Sequence, residues 1–424
     1  MSGRTSGEAP WSVAIASGLI LGLVVGVPYY GLPYFYDYFE HPLSQGGFGW
    51  SRSSVILGLP IGTLVTLIAG PLVVRRCPPR TAILWGSVIC AAALAGFGRM
   101  GGTLAEYYFL WILYMTGWTL AGPLSHQILL TRTFLHHRGS AMAIAYFGIS
   151  LFGALSVLCL ARPLTLAFGF RTALLVIGLS VLLAVPLALR AFPKVEPLHP
   201  AAQFHPRGGA PLNRGFWLLL TGSTIAVGGV AGVTQHLKLI FQEAGYRNQA
   251  ELDQVFGWTI LVMLAFMALA RFAFAWAADR YPKRHVITAA FTLMAAAMPI
   301  LYFLTPSGGR YLYFGAAFGF GMSVDFVVVP LLVADYFGPK SLPRVMGIIV
   351  PVNTVGQTWW PYLVSLLWTT FGSYSVPLLF TFACILAGRF ALALLPLPPP
   401  VVHPSGFEME SGAPSVQPAP ESAA

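Results

Sequence analysis

Arg271 and Asp325 are the residues on which chemistry can be built, because each lies deep inside an apolar stretch of the chain. An ionisable group at membrane depth costs about 3 kcal/mol or more on insertion scales, so it faces a cavity or a partner. Arg271 stands eight residues before Asp279, and Asp325 stands ten before Asp335. At 1.5 Å per helical residue they sit about 12 and about 15 Å inside their helix ends, near the middle of a hydrocarbon core about 30 Å thick. A guanidinium keeps its charge and offers a planar fork to a carboxylate, so Arg271 suits a small organic anion; a permanent bridge to Asp325 is the competing reading. Carboxyl groups taken out of water bind protons more readily, which makes Asp325 a candidate proton-coupling group, with helix packing as its alternative role.

Other polar residues within apolar runs extend the candidate set. His126, in Pro123-Leu-Ser-His-Gln127, is either a second titrating group or a hydrogen-bond partner for a neighbouring helix. Tyr30, Tyr34 and Tyr38 recur every four residues on one helix face, where Tyr30 and Tyr34 can donate to an anionic substrate. Asn353 and Gln357 share a face in the same way and read as cavity contacts or as links between helices. Lys238, near the end of its run, reads as a residue that snorkels to the interface, although with His236 it can also draw anions into a mouth. Gly18, Gly22 and Gly26 allow a close helix contact. Phosphate loops, metalloprotease helices and nucleophile elbows are missing, and the four cysteines lack metal-binding spacing, so neither a catalytic site nor a metal or other cofactor is expected.

The elements that must position these residues follow from composition. Of 424 residues 56% are hydrophobic and 9% charged, against about 25% charge in a soluble domain, which excludes a water-soluble globule. Hydropathy and Pro/Gly-rich breaks give twelve spans: 11–39, 50–74, 81–99, 105–131, 139–162, 169–190, 214–241, 252–279, 283–304, 309–337, 343–368 and 373–395. A tail (1–10), a bundle (11–190), a linker (191–213), a second bundle (214–395) and a disordered tail (396–424) are expected. The net charge of +10 would suggest nucleic acid on a soluble chain, but position explains it. With both termini cytoplasmic, fifteen Lys and Arg fall on inner segments. Seven (Arg52, Arg99, Arg162, Arg171, Lys238, Arg247 and Arg310) fall on the outer side.

Two stretches recur about half a chain apart, as parallel repeats require. Gly70-Pro-Leu-Val-Val-Arg75-Arg76-Cys-Pro-Pro-Arg80 returns as Ala275-Trp-Ala-Ala-Asp279-Arg280-Tyr-Pro-Lys283-Arg284, and Phe134–Met142 returns as Phe337–Met346. These residues resemble the major facilitator superfamily, whose loop after the second helix carries a Gly-x-Leu-Ala-Asp-Arg-like signature. Val74 replaces the acid in the first copy. The resemblance implies an all-α membrane protein of twelve transmembrane helices in two pseudo-symmetric six-helix bundles, with Asp279, Arg280 and Arg284 as a conformational latch. Phe48–Val55, Phe134–Ala143, Ala270-Arg271-Phe272 and Ala334–Ser341 are similar to the monocarboxylate transporter and oxalate:formate antiporter branch. The branch's first-helix lysine is absent, Met267 stands where it has an acid before Arg271, and its eleventh-helix lysine is missing.

The expectation is a monomeric secondary transporter in a bacterial inner membrane, moving a small monocarboxylate by alternating access with proton coupling. A carrier of a neutral or cationic solute, with Arg271 and Asp325 structural, is the alternative. A membrane receptor or a membrane-embedded enzyme is the reading from another class. The lipid bilayer and the solute are the expected partners, and nucleic acid is not.

Overall fold

The computed structural model describes residues 11–134, 138–193, 213–306, 308–337 and 342–396. Within these the chain forms twelve helical rods and no strand. The first six are α1 (Trp11–Glu40), α2 (Arg52–Arg76), α3 (Pro79–Arg99), α4 (Leu104–Ala121 and Pro123–Thr133), α5 (138–168) and α6 (Phe170–Ala191). The last six are α7 (Arg214–Glu243), α8 (Gln249–Arg280), α9 (Lys283–Tyr302), α10 (Arg310–Met322 and Val324–Phe337), α11 (Leu342–Phe371) and α12 (Ser375–Ala393). Eight rods are long and apolar enough to cross a membrane: α1, α3, α5, α6, α7, α8, α9 and α12. Two of the other four, α4 and α10, break at Gly122 and Ser323.

Within the first half α5 packs on α1, α4 on α2 and α3, and α6 on α3. Within the second half α11 and α12 pack on α7, α10 on α8 and α9, and α12 on α9. The halves meet where α2 lies against α11, α5 against α8 and α1 against α7.

The α1–α5 contact is close because glycines remove side chains from it. A Cβ on Gly148 of α5 would lie 1.9 Å from the Gly18 carbonyl oxygen, and one on Gly26 would lie 2.6 Å from that of Ile149. The same helix is irregular, with a π-helical turn over Gly22–Gly26 and a 3-10 turn over Leu32–Phe35. Pro28 and Pro33 lack the amide hydrogens a continuous α-helix would use, so the ladder is re-phased around them. That re-phasing lets Tyr29, Tyr34, Tyr36 and Asp37 all reach toward the second half.

Candidate functional site

A cavity of about 30 Å³ lies between the halves, walled by α1, α2, α4, α7 and α11. Tyr29, Tyr36, Trp111, Tyr114 and Trp118 supply an aromatic lining, and Gln235, Gln357, Thr354 and Thr358 supply neutral polar groups. No charged side chain is among the lining residues. Gln357 Nε2 donates to the Tyr29 hydroxyl at 3.0 Å, Tyr36 donates to Gln235 Oε1 at 3.0 Å, and Gln235 Nε2 donates to the Tyr29 carbonyl at 3.2 Å. Three helices of both halves are thereby tied at one level of the bundle.

Arg271 is outside this lining, on α8 where it faces α1 and α5. Its electrostatic neighbours are Tyr30 and Tyr146, and Tyr146 is bonded in turn to Gln127 of α4. Nε and Nη1 of Arg271 are buried and meet no hydrogen-bond partner among the described residues. Each idle donor of a buried guanidinium loses solvation without regaining a bond, which leaves this one with hydrogen-bonding capacity of a geometry that matches an oxyanion. The side chain of Asp325, its proposed counter-ion, lies outside the described residues, as does that of Asp279.

The other candidates disperse. Tyr34 is fully buried and donates to Asp253 Oδ2 at 2.6 Å, away from the cavity. Asn353 Oδ1 accepts from Ser223 and Thr224 of α7 at 3.2 and 2.8 Å, which makes it a link between helices. His126 is buried with its ring edge-on to Phe192, and neither ring nitrogen makes a hydrogen bond among the described residues. At the end of the bundle carrying the α8–α9 turn, Arg280 lies over the Trp276 ring and Arg284 donates to the Leu395 carbonyl at 2.8 Å. The ion pair found there joins Lys283 to Asp335 at 2.6 Å, between α9 and α10 of one half.

The opposite end holds a cluster that the sequence reading overlooked. Lys238 does not snorkel to an interface: it is 1% exposed, and its ammonium sits 2.9 Å from Asp37 Oδ1 and 2.6 Å from Asp253 Oδ1. Its third donor reaches the Tyr34 carbonyl at 2.7 Å, and the rings of Tyr34 and Tyr38 lie 4.0 and 4.6 Å from Nζ. Gln249 donates to both acids, at 2.8 Å to Asp37 and 3.1 Å to Asp253, while Tyr38 adds a bond to Asp253 at 2.8 Å. Burying these charges is tolerable because every ammonium hydrogen and every carboxylate oxygen has a partner. Beside the cluster, Arg52 pairs with Glu40 at 3.0 Å and lies 4.1 Å from the centre of the Trp368 ring. The signal was partial: Asp37, Lys238 and Asp253 fall inside the hydropathy-drawn spans but within a few residues of their ends, where the depth rule that singled out Arg271 applies only weakly.

Residues 249–420 match the Major Facilitator Superfamily profile. No curated protein matches the chain by sequence. Two solved structures of a bacterial homolog of the human lysosomal transporter Spinster share the fold. The inward-facing, unoccupied form has a TM-score of 0.67 at 13% identity, covering 92% of this chain and 98% of that one. The inward-facing, occupied form gives 0.68 at 13% identity, covering 92% and 97%. The chain is thus an all-α membrane protein with the major facilitator fold, and fold and family match together point to a transporter, not an enzyme.

Proposed function

We propose that this protein is a secondary active transporter that carries small organic anions, monocarboxylates among them, together with protons. The observation that carries the anion is Arg271, a buried guanidinium with two donor atoms open, on α8 where it packs against α5 of the other half, with Tyr30 of α1 as an electrostatic neighbour. On this reading Tyr30 and Tyr146, the electrostatic neighbours of Arg271, help to bind the carboxylate. Lysine and arginine placement supports an orientation with both termini in the cytoplasm of a bacterial cell and the α1–α2 turn outside. In that orientation 191–213 links two six-helix domains on the inner side. His126 and Asp325 remain candidate proton groups on this reading.

Purified protein in proteoliposomes should accumulate labelled lactate or pyruvate, with unlabelled formate and oxalate competing. Arg271→Gln should lower uptake at least tenfold, and Arg271→Lys should keep part of it, since a point charge replaces the fork. Unchanged uptake in Arg271→Gln would overturn the anchor. The uncharged aromatic cavity favours a second reading, in which a neutral solute lies against Trp111, Tyr29 and Gln357. Uptake of such a solute, with no competition by any carboxylate, would establish it.

A further inference from the structure

We propose that the flank of the second half where α9 meets α12 binds the headgroup of an anionic phospholipid, with Arg389 as its anchor. Arg389 lies within the apolar helix α12 (Ser375–Ala393) and is half-buried. Arg284 of α9 donates to the Leu395 carbonyl at 2.8 Å, so α9 begins beside the end of α12. Arg389 comes six residues before Leu395, and Thr292 comes eight after Arg284. At 1.5 Å per residue the two stand about 9 and about 12 Å from that end of the bundle. An arginine at this depth could snorkel back to the interface, but Arg389 is held the other way. Side chains lean toward the N-terminus of their helix, which for α12 is the far end. Its Nε donates to Thr292 Oγ1 at 3.2 Å, and its guanidinium lies 4.9 Å from the centre of the Phe390 ring. Among the described residues no carboxylate pairs with it, and the two terminal nitrogens of the fork make no hydrogen bond.

The surroundings say what completes the site. Ala289, Leu293 and Ala296 of α9 and Ala383, Ala387 and Phe390 of α12 are exposed, and both helices are long and apolar enough to cross a membrane. That flank therefore meets acyl chains, where a cation requires a partner. The oxyanion that a bilayer itself supplies is the lipid phosphate, whose two free oxygens match the fork of a guanidinium. A zwitterionic headgroup brings its own ammonium to the same phosphate. An anionic one does not, so it gains the whole attraction of Arg389. The alanines and Phe390 then accept the chains of the lipid whose phosphate Arg389 holds. Arg310 is the contrasting case: it is exposed at the first residue of α10 and donates to the Phe303 carbonyl at 3.5 Å, where water reaches it.

The test involves no transported solute, so it stands apart from the carboxylate reading. Delipidated protein in detergent would be offered phosphatidylglycerol or phosphatidylcholine with identical chains, and the bound lipid counted by native mass spectrometry. Wild type should retain phosphatidylglycerol severalfold over phosphatidylcholine. Arg389→Gln should lose that preference, Arg389→Lys should keep part of it, and Arg310→Gln should keep all of it. Thr292→Val, which preserves the charge and frees the side chain to leave, should weaken it. Glycerol 3-phosphate at equal concentration should not displace the lipid, because it lacks the chains. Equal retention of the two lipids by wild type would overturn the proposal, as would an undiminished preference in both Arg389→Gln and Thr292→Val. So would an equal loss in Arg310→Gln, which would indicate general surface charge, or displacement by glycerol 3-phosphate, which would indicate a site for free anions.

Discussion

A lysine that uses all three of its donors on buried partners is held by its charges as much as by its packing. Removing one member of such a network leaves uncompensated charge in a low dielectric, which costs about 3–5 kcal/mol, while replacing all members by apolar groups is close to neutral. Lys238→Met should therefore lower the unfolding temperature of the detergent-solubilised protein strongly at pH 8. The triple variant Asp37→Leu, Lys238→Met, Asp253→Leu should recover most of that loss, read in the same thermal scan. The comparison separates the cost of an uncompensated charge from the loss of packing, because the triple variant removes all three charges together. At this scale the sequence was only partly legible. Arg271 announced itself by standing alone in an apolar run. Asp37 and Asp253 stood near span ends, where a charge is ordinarily solvated, and only three-dimensional pairing across 201 and 15 residues shows that they are not. Hydropathy measures one segment at a time, and a salt bridge between segments is invisible to it.

The twelve rods follow the spans that hydropathy marks out, because chain length and backbone satisfaction in lipid leave few alternatives. The departures are local. Nothing in the hydropathy profile distinguishes an α-turn from the π-turn at Gly22–Gly26, since re-phasing one turn leaves the apolar content unchanged. The four-residue glycine spacing on α1 did foretell a close helix contact, and Gly148 and Gly153 supply the matching face on α5. Gly148→Ala puts a methyl 1.9 Å from the Gly18 carbonyl oxygen, a backbone atom that cannot turn aside. Overpacking of this kind costs about 1–3 kcal/mol. A measurable fall in unfolding temperature is expected for Gly148→Ala. Gly46→Ala sits in open space with φ of 80° and should lose less, through backbone strain alone.

For the whole molecule, the significant pattern is where the halves touch. The hydrogen bonds named above between the halves start or end on α1 at Tyr29 or beyond, and run to α7, α8 or α11. The described bonds at the opposite end stay within one half: Lys283 with Asp335, Arg284 with Leu395, Arg80 with Leu189. A fastening of this kind gives the halves a defined hinge sense, and on the transport reading cycling between two states requires it to release. The α5–α8 contact offers a way to forbid the release. A Cβ on Gly257 would lie 2.9 Å from Leu158 Cγ, so cysteines at these positions come within reach of the Cβ–Cβ separation of about 3.8 Å that a disulfide needs. With Cys77 and Cys159 replaced, Leu158→Cys/Gly257→Cys should transport when reduced, stop after oxidation and recover with reductant. Undiminished uptake after complete oxidation would mean that the halves do not separate along α5 and α8, and that the transported species takes another route through the bundle.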